Sequence, residues 1–246
     1  MSNMPAICFI YVSFDKGLTV GGVWAVTPPP VRPQNLQYAG FLLWDVNSLE
    51  EEAHRRGAKW LSSLGGVEYL AEILCSKARP IVAVVRGRQE YGPRALGHRS
   101  LLALPDSDNI KMRMNRLKYR EFYRPVAPMI AEEHLEQVFG SVISSPYMSM
   151  APPVLPEVLE RFPGLGHLDG TTRHQSVRRE DEPWIHELLH HVGNRTGLAA
   201  LINTSFNTHG KPICNTIVEA LAMLDSLPDL DYVLIENWLF EKKVET

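Results

Sequence analysis

The sequence is poor in cysteine, lacks any long apolar run and carries almost no excess charge of either sign. Its three cysteines, Cys8, Cys75 and Cys214, are odd in number and far apart. That excludes a disulfide framework and a cysteine-based zinc site, and it fits a reducing, cytoplasmic setting. The apolar stretch from Pro5 to Phe14 has no basic flank and is too short to span a bilayer, so it reads as a buried segment, and no membrane partner is expected. With 25 Lys+Arg against 28 Asp+Glu, global charge gives no grip on nucleic acid, which is not expected as a partner. Internal repeats and low-complexity tracts are absent too. What remains is a 246-residue chain, 45% hydrophobic and 22% charged, able to bury a sizeable core.

The charge is unevenly placed. Between Arg86 and Arg124 stand ten basic and four acidic residues, a basic island in an otherwise acidic protein. A proline-rich run, Thr27 to Pro33, forbids helix and central strand and marks a boundary near residue 35. Beyond it, Ser48 with Glu51 spells a capping box for a short helix, and Val67 to Lys77 has helical spacing of Val67, Leu70, Ala71 and Leu74. Ile81 to Val85 is continuously apolar and β-branched, the pattern of a strand covered on both faces. Leu198 to Ile202 predicts a second strand ending at the polar NTSFN, and Tyr232 to Ile235 a third. Thr216 with Glu219 spells a second capping box, opening a helix from Ile217 to Leu224. Pro146 to Pro163 reads as a surface excursion or lid. Strands alternating with helices give an α/β (α+β) sheet domain.

Two apolar strands run into polar, glycine-bearing loops: Val85 into RGRQEYGPRALGHRS and Ile202 into NTSFNTHGKP. Strand ends of this kind leave backbone N–H groups and helix N-termini free to meet an anion. Pro93 fits the first position of a helix after the Gly92-Pro93 turn. Downstream, NRLKYREFYRP collects Lys118, Arg120 and Arg124 in one segment. A basic run is ordinarily a solvated helix face, but here it is interleaved with Tyr91, Tyr119, Phe122 and Tyr123. Some guanidinium groups should therefore be partly buried and need anionic partners, either carboxylates or a ligand.

In this order and spacing, GRQEYGPRALGHRSLLA, NRLKYREFYRPVAP, DGTTRHQSV and LINTSFNTHGKPI resemble the C-terminal domain of the NodU/CmcH-type O-carbamoyltransferases, from about Tyr38 to Lys242. The resemblance implies a YrdC-like twisted open sheet flanked by helices over residues 36–246. It implies that carbamoyl phosphate and ATP, the latter with Mg2+ as substrate, are converted to carbamoyl adenylate for transfer to a hydroxyl-bearing sugar or natural product. Carried over by motif, the catalytic residues are Lys118, Arg124 and Ser205. Arg94, Arg173 and Asn207 join them in lining the substrate and ATP pocket. Tyr91 stands where the family usually has phenylalanine and His98 where asparagine is common. Upstream, FDKGLTVGGVW (Phe14 to Trp24) resembles the end of the family's N-terminal actin-like domain, so residues 1–35 read as a remnant of that domain plus the linker. On this reading the chain is a fragment, a split gene product or a truncated gene model, and a separate actin-like domain is a candidate partner.

Two other readings compete. His186-Glu187-Leu188-Leu189-His190 matches HExxH, and Gly193 continues toward the longer metzincin form, but Thr196 stands where that form needs a third histidine. Because Ile185, Leu188, Leu189 and Val192 define the core stripe, the two histidines fall on a surface face, and no metal site is assigned. The second alternative is a non-catalytic YrdC-like module that only holds nucleotide or RNA.

Overall fold

The computed structural model describes residues 36–243, together with 23–24, 26–28 and residue 30. Most of the expected actin-like remnant and proline-rich linker, and all of Pro5 to Phe14, therefore lie outside the described residues. The elements run α1 (Leu49–Arg56), β1 (Lys59–Trp60), α2 (Val67–Cys75), β2 (Val82–Val85), β3 (Arg99–Ala103), α3 (Asp108–Leu117) and β4 (Ala127–Ala131). They continue with α4 (Leu135–Phe139), α5 (Pro156–Arg161), β5 (Gln175–Val177), α6 (Pro183–Thr196), β6 (Ala200–Ser205), α7 (Ile217–Ser226), β7 (Tyr232–Ile235) and β8 (Trp238–Glu241). The strands form one open sheet in the order β1-β8-β7-β2-β3-β6-β4-β5. β2 runs parallel to β7 and β4 parallel to β5, while the other neighbours are antiparallel. This is the α/β sheet flanked by helices that the pattern of elements predicts.

Both faces of the sheet are covered, and β2 shows why its sequence is unbroken apolar. Ile81, Ala83 and Val85 enter one core with α1, α3 and α7; Val82 and Val84 enter another with α2 and α6. A strand alternates its side chains, so burial on both sides demands an apolar residue at every position. In α2 the spacing of Val67, Leu70, Ala71 and Leu74 buries all four, against Ile185, Leu188, Leu189 and Val192 of α6. Leu70 is fully buried, and truncating a residue so placed to alanine costs about 2–5 kcal/mol. Helix α6 stops at Gly197, whose φ of +86° supplies the left-handed residue that closes a helix C-terminus.

Five local expectations change. Ser48 does not cap α1: it belongs to a preceding 3-10 turn in αR geometry, and its hydroxyl turns back to the Asp45 carbonyl at 2.8 Å. Thr216 does cap α7, accepting from Glu219 N–H at 3.1 Å, but Glu219 reaches back to Asn215 N–H in place of the cap residue's own. The strand expected over Leu198 to Ile202 runs instead from Ala200 to Ser205, because Asn203 and Thr204 keep their ladder pairing to β3 and the buried Asn203 amide donates to Ala95 O at 2.8 Å. Pro146 to Pro163 is no free excursion: Val154, Val158 and Phe162 pack with α4 and Leu198 in a third small core. Finally, Pro93 opens no helix. One oxygen of the buried Glu90 carboxylate collects the N–H groups of Leu96, His98 and Arg99 at 2.7–3.2 Å, holding this segment as an open loop. No helix among the described residues is long and apolar enough to cross a membrane.

Candidate active site

Part of the basic island lies at one end of the sheet, where β6 and α3 end, while Arg113 and Arg116 pair with Asp229 and Asp231 just before β7. Lys118 is the C-cap residue of α3, where the negative end of the helix dipole favours a cation. Tyr119 follows at φ +51°, a strained conformation for a residue with a side chain, and turns the chain away. The Lys118 ammonium is buried, with only 5% of the residue exposed, and donates to Ser205 O, to Ser205 Oγ at 2.9 Å and to Asn207 Oδ1 at 2.7 Å. Ser205 Oγ in turn donates to Asn207 Oδ1 at 2.7 Å, and the backbone N–H of His209 donates to Lys118 O at 3.0 Å. Lys118, Ser205 and Asn207, drawn from two distant motifs, thus form one network.

Around it stands a group of guanidinium ions whose charges act on one another. Burial, with Arg120 beside it, pushes the Lys118 ammonium down to about 7. Burial, with Arg124 and Arg173 nearby, lowers Arg120 to about 10. Arg173 is lowered by burial and by Arg94, and Arg94 by burial. Arg124 stands at the exposed rim, ion-paired to Glu121 at 2.6 Å; the inward position behind it belongs to Arg120. Two donors in this group, Arg120 Nη2 and Arg173 Nε, are buried without a hydrogen-bond partner among the described residues, as is Thr172 Oγ1 beside them. Buried cationic donors left unsatisfied are costly to a fold, and an anion is what satisfies them. The arrangement can therefore grip several negatively charged oxygens at once, with Arg forks and a Lys point charge together.

With this geometry in view, the decisive observation is a family model. The model described as "Carbamoyltransferase C-terminus" matches residues 71–242. This chain belongs to that carbamoyltransferase C-terminal family. Among its relatives, Nodulation protein U of Rhizobium tropici is 40% identical over 62% of this chain and 26% of its own length. A 3'-hydroxymethylcephem-O-carbamoyltransferase of Amycolatopsis lactamdurans is 37% identical over 64% of this chain and 30% of its own. Nodulation protein NolO of Bradyrhizobium diazoefficiens is 30% identical over 93% of this chain and 43% of its own. The chain thus spans about a quarter to under half the length of these relatives. Among solved structures, full-length HypF in the phosphate- and nucleotide-bound form covers 73% of this chain and 26% of that one, with a TM-score of 0.47 and 19% identity.

Within the family domain, the structure adds residues that motif reading passed over. Arg120 belongs to the basic island and, although no motif assigns it to the pocket, it lies deeper than Arg124. Asn115, fully buried on α3, holds the whole loop: its Nδ2 donates to Phe122 O and Arg124 O, both at 2.9 Å, and its Oδ1 accepts from Arg120 Nε. Asn115 is a positioning residue for the cations. The one available signal was an amide at a core-facing position of an amphipathic helix, next to the buried Ile110, Met114 and Leu117. On the other loop, Arg99 is completely buried and its terminal nitrogens donate to the carbonyls of Arg86, Gly87 and His98 at 2.9–3.0 Å, so this cation shapes the backbone, while its Nε has no partner among the described residues.

Proposed function

We propose that this chain activates carbamoyl phosphate with ATP, forming carbamoyl adenylate for O-carbamoylation of a hydroxyl-bearing small molecule. The single observation that carries this is the buried cationic group of Lys118, Arg120 and Arg173, with two guanidinium nitrogens lacking partners beside the Ser205–Asn207 network. Family membership and the named O-carbamoyltransferase among the relatives support the reaction class.

Both substrates are polyanions, so chemistry between them begins with cations that overcome their mutual repulsion. Hydrolysis of carbamoyl phosphate yields carbamate and phosphate. A carbamate oxygen then attacks the α-phosphorus of ATP, forming the new P–O bond while the bond to the β-phosphate breaks and pyrophosphate leaves. Mg2+ enters with ATP as part of the substrate. In this scheme Arg120 and Arg173 hold phosphoryl oxygens, with Arg94 beside Arg173, and Arg124 guards the rim. Lys118, poised near neutrality, takes up a proton when an anion arrives, so its charge appears where negative charge has been brought. Ser205 and Asn207 hold Lys118 in place and offer hydrogen bonds to the carbamoyl group. The exposed rings of Tyr119, Phe122 and Tyr123 flank the cations and give a nucleobase a face to stack on.

Delivery to the acceptor is proposed to use an actin-like domain, whether joined to this chain or separate. With ATP as a substrate, the proposed activity is a cytoplasmic one. The test is carbamoyl-phosphate-dependent release of pyrophosphate from ATP, with the adenylate trapped and identified by mass spectrometry. Release is expected, and it should vanish in Arg120→Gln. Folded protein that binds ATP but releases no pyrophosphate would favour the non-catalytic nucleotide-binding module, and folded protein that binds neither substrate at millimolar concentration would reject the pocket.

A further inference from the structure

At the other end of the β4–β6 ladder a second cluster of titratable groups has no part in that chemistry. β4 pairs with β6 so that Ala127 faces Asn203 and Ile130 faces Ala200. The residues just after β4 therefore lie beyond the start of β6, while Ser205 is at its end. Five residues of strand at about 3.3 Å each put roughly 17 Å between the two ends.

Here Glu133, in the 3-10 turn after β4, meets His186 and His190 of α6. The histidines are one turn apart, at positions i and i+4, and so share a face of the helix. Their rings are 4.5 Å apart and tilted by 50°. Both Nε2 atoms point at the same oxygen, Glu133 Oε1, His186 at 2.9 Å and His190 closer still. One potential ligand atom from each of the three residues lies within 4.8 Å of the others. An ordinary surface ion pair needs one imidazole; here two rings converge on one carboxylate oxygen and bring three candidate ligand atoms close together. In a tetrahedral zinc site, metal–ligand bonds of 2.0–2.2 Å leave neighbouring ligand atoms about 3.3 Å apart, which small rotations of these side chains reach.

We propose that Glu133, His186 and His190 bind a divalent transition ion of the Zn2+ class. Two imidazoles and one carboxylate suit that borderline-soft ion and not Mg2+ or Ca2+, which prefer oxygen alone. Glu133 is 45% and His190 41% exposed at the side chain, leaving the fourth position open to water. The site is not that of a zinc peptidase. Glu187, the carboxylate of the HExxH pattern, is 61% exposed, lies 3.9 Å from His191, and is not one of the three. The third ligand comes from a turn 53 residues earlier than His186, which the sequence pattern cannot show. The ion fastens the turn after β4 to α6, far from the cationic pocket, and so acts as a clip.

The test is calorimetric titration of the full chain with Zn2+ at pH 7.5, purified without a polyhistidine tag, with Co2+ absorption as a second readout of coordination. One Zn2+ per chain is expected, with a rise in melting temperature. Affinity should fall at least tenfold in His190→Ala and in Glu133→Gln, both of which alter partly exposed side chains, and should be unchanged in the neighbouring His191→Ala. Absence of stoichiometric binding to protein that is folded by circular dichroism, or binding that survives His186→Ala with His190→Ala, would overturn the proposal.

Discussion

Replacing Lys118 by methionine keeps the length and apolar stem of the side chain and removes only the buried ammonium. Burial and the adjacent Arg120 lower this group from 10.5 to about 7, so at neutral pH the fold holds a group half charged that the unfolded chain holds fully charged. Every tenfold weakening of proton binding in the fold corresponds to 1.36 kcal/mol, so the penalty at pH 7 is on the order of 4 kcal/mol. The sign follows from proton counts. Between pH 7 and about 10.5 the unfolded chain binds more protons than the native one, so native stability rises with pH in that window, by about 2 kcal/mol between pH 7 and 9. Against the penalty stand three hydrogen bonds from a half-charged ammonium, at roughly 1–1.5 kcal/mol each. Their loss leaves no acceptor bare, because Ser205 O still accepts from Asn207 N–H at 3.1 Å and Asn207 Oδ1 from Ser205 Oγ. The net expectation for Lys118→Met at pH 7 is a stability between unchanged and about 1 kcal/mol higher, a rise of at most ~2–4 °C in melting temperature, together with loss of carbamoyl phosphate binding. Thermal and urea unfolding of both proteins from pH 7 to pH 9 is the assay, and the rise in stability specific to the native protein should disappear in the variant. A drop of several degrees in the variant, with the pH slope intact, would show that Lys118 is a structural tie and not a charge held ready for a ligand.

Carbamoyl phosphate affinity in the native protein should weaken as pH rises through about 7, where Lys118 loses its charge, and the effect should be absent in Lys118→Met; calorimetry at pH 6 and pH 8 decides it. Asn115→Ala should abolish pyrophosphate release without touching a substrate, by freeing Phe122 O, Arg124 O and Arg120 from their common amide; Asn115→Asp should restore only the Arg120 contact and part of the rate. Gly97→Ala should lower stability by about 1–3 kcal/mol in denaturant unfolding, since Gly97 sits at φ +123° and a Cβ there would lie 2.8 Å from Ile185 Cγ1. Cys214, its thiol pushed up to about 12 by burial, should resist thiol-directed labelling at pH 8 until the protein is unfolded, as mass spectrometry of labelled peptides will show.

The elements easiest to read in advance were those whose pattern has one physical meaning. The unbroken run at Ile81 to Val85 permits only a strand buried on both sides, and the spacing in α2 and α6 permits only one buried stripe each. Tyr232 to Ile235 carries the same kind of signal. What misled were signals that name a possibility that longer-range partners then decide. Ser48 has the chemistry of a cap, but the 3-10 turn before it took its hydroxyl elsewhere. Pro93 suits a helix start, yet Glu90 claims the N–H groups that a helix would have used. Asn203 and Thr204 look like loop, and become strand because Ala95 and β3 supply their partners. Lys118, Ser205 and Asn207 could be named in advance because each motif contributes its residue directly, and the structure brings the three into contact. The division of labour between Arg120 and Arg124 could not, because which of two arginines four residues apart turns inward depends on the strained Tyr119 and on Asn115. The meeting of Glu133 with His186 and His190 likewise depends on the register of β4 against β6.

The bond from His209 N–H to Lys118 O joins the two loops that carry the cationic network. Neither the segment after α3 nor the segment after β6 can lift away without breaking that bond and the three bonds of the Lys118 ammonium together. Those two segments are therefore held to move together. The His209 amide is therefore a natural gauge of how often they part: its exchange with deuterium measures that parting, and a ligand bridging the two segments should slow the exchange before any product is made.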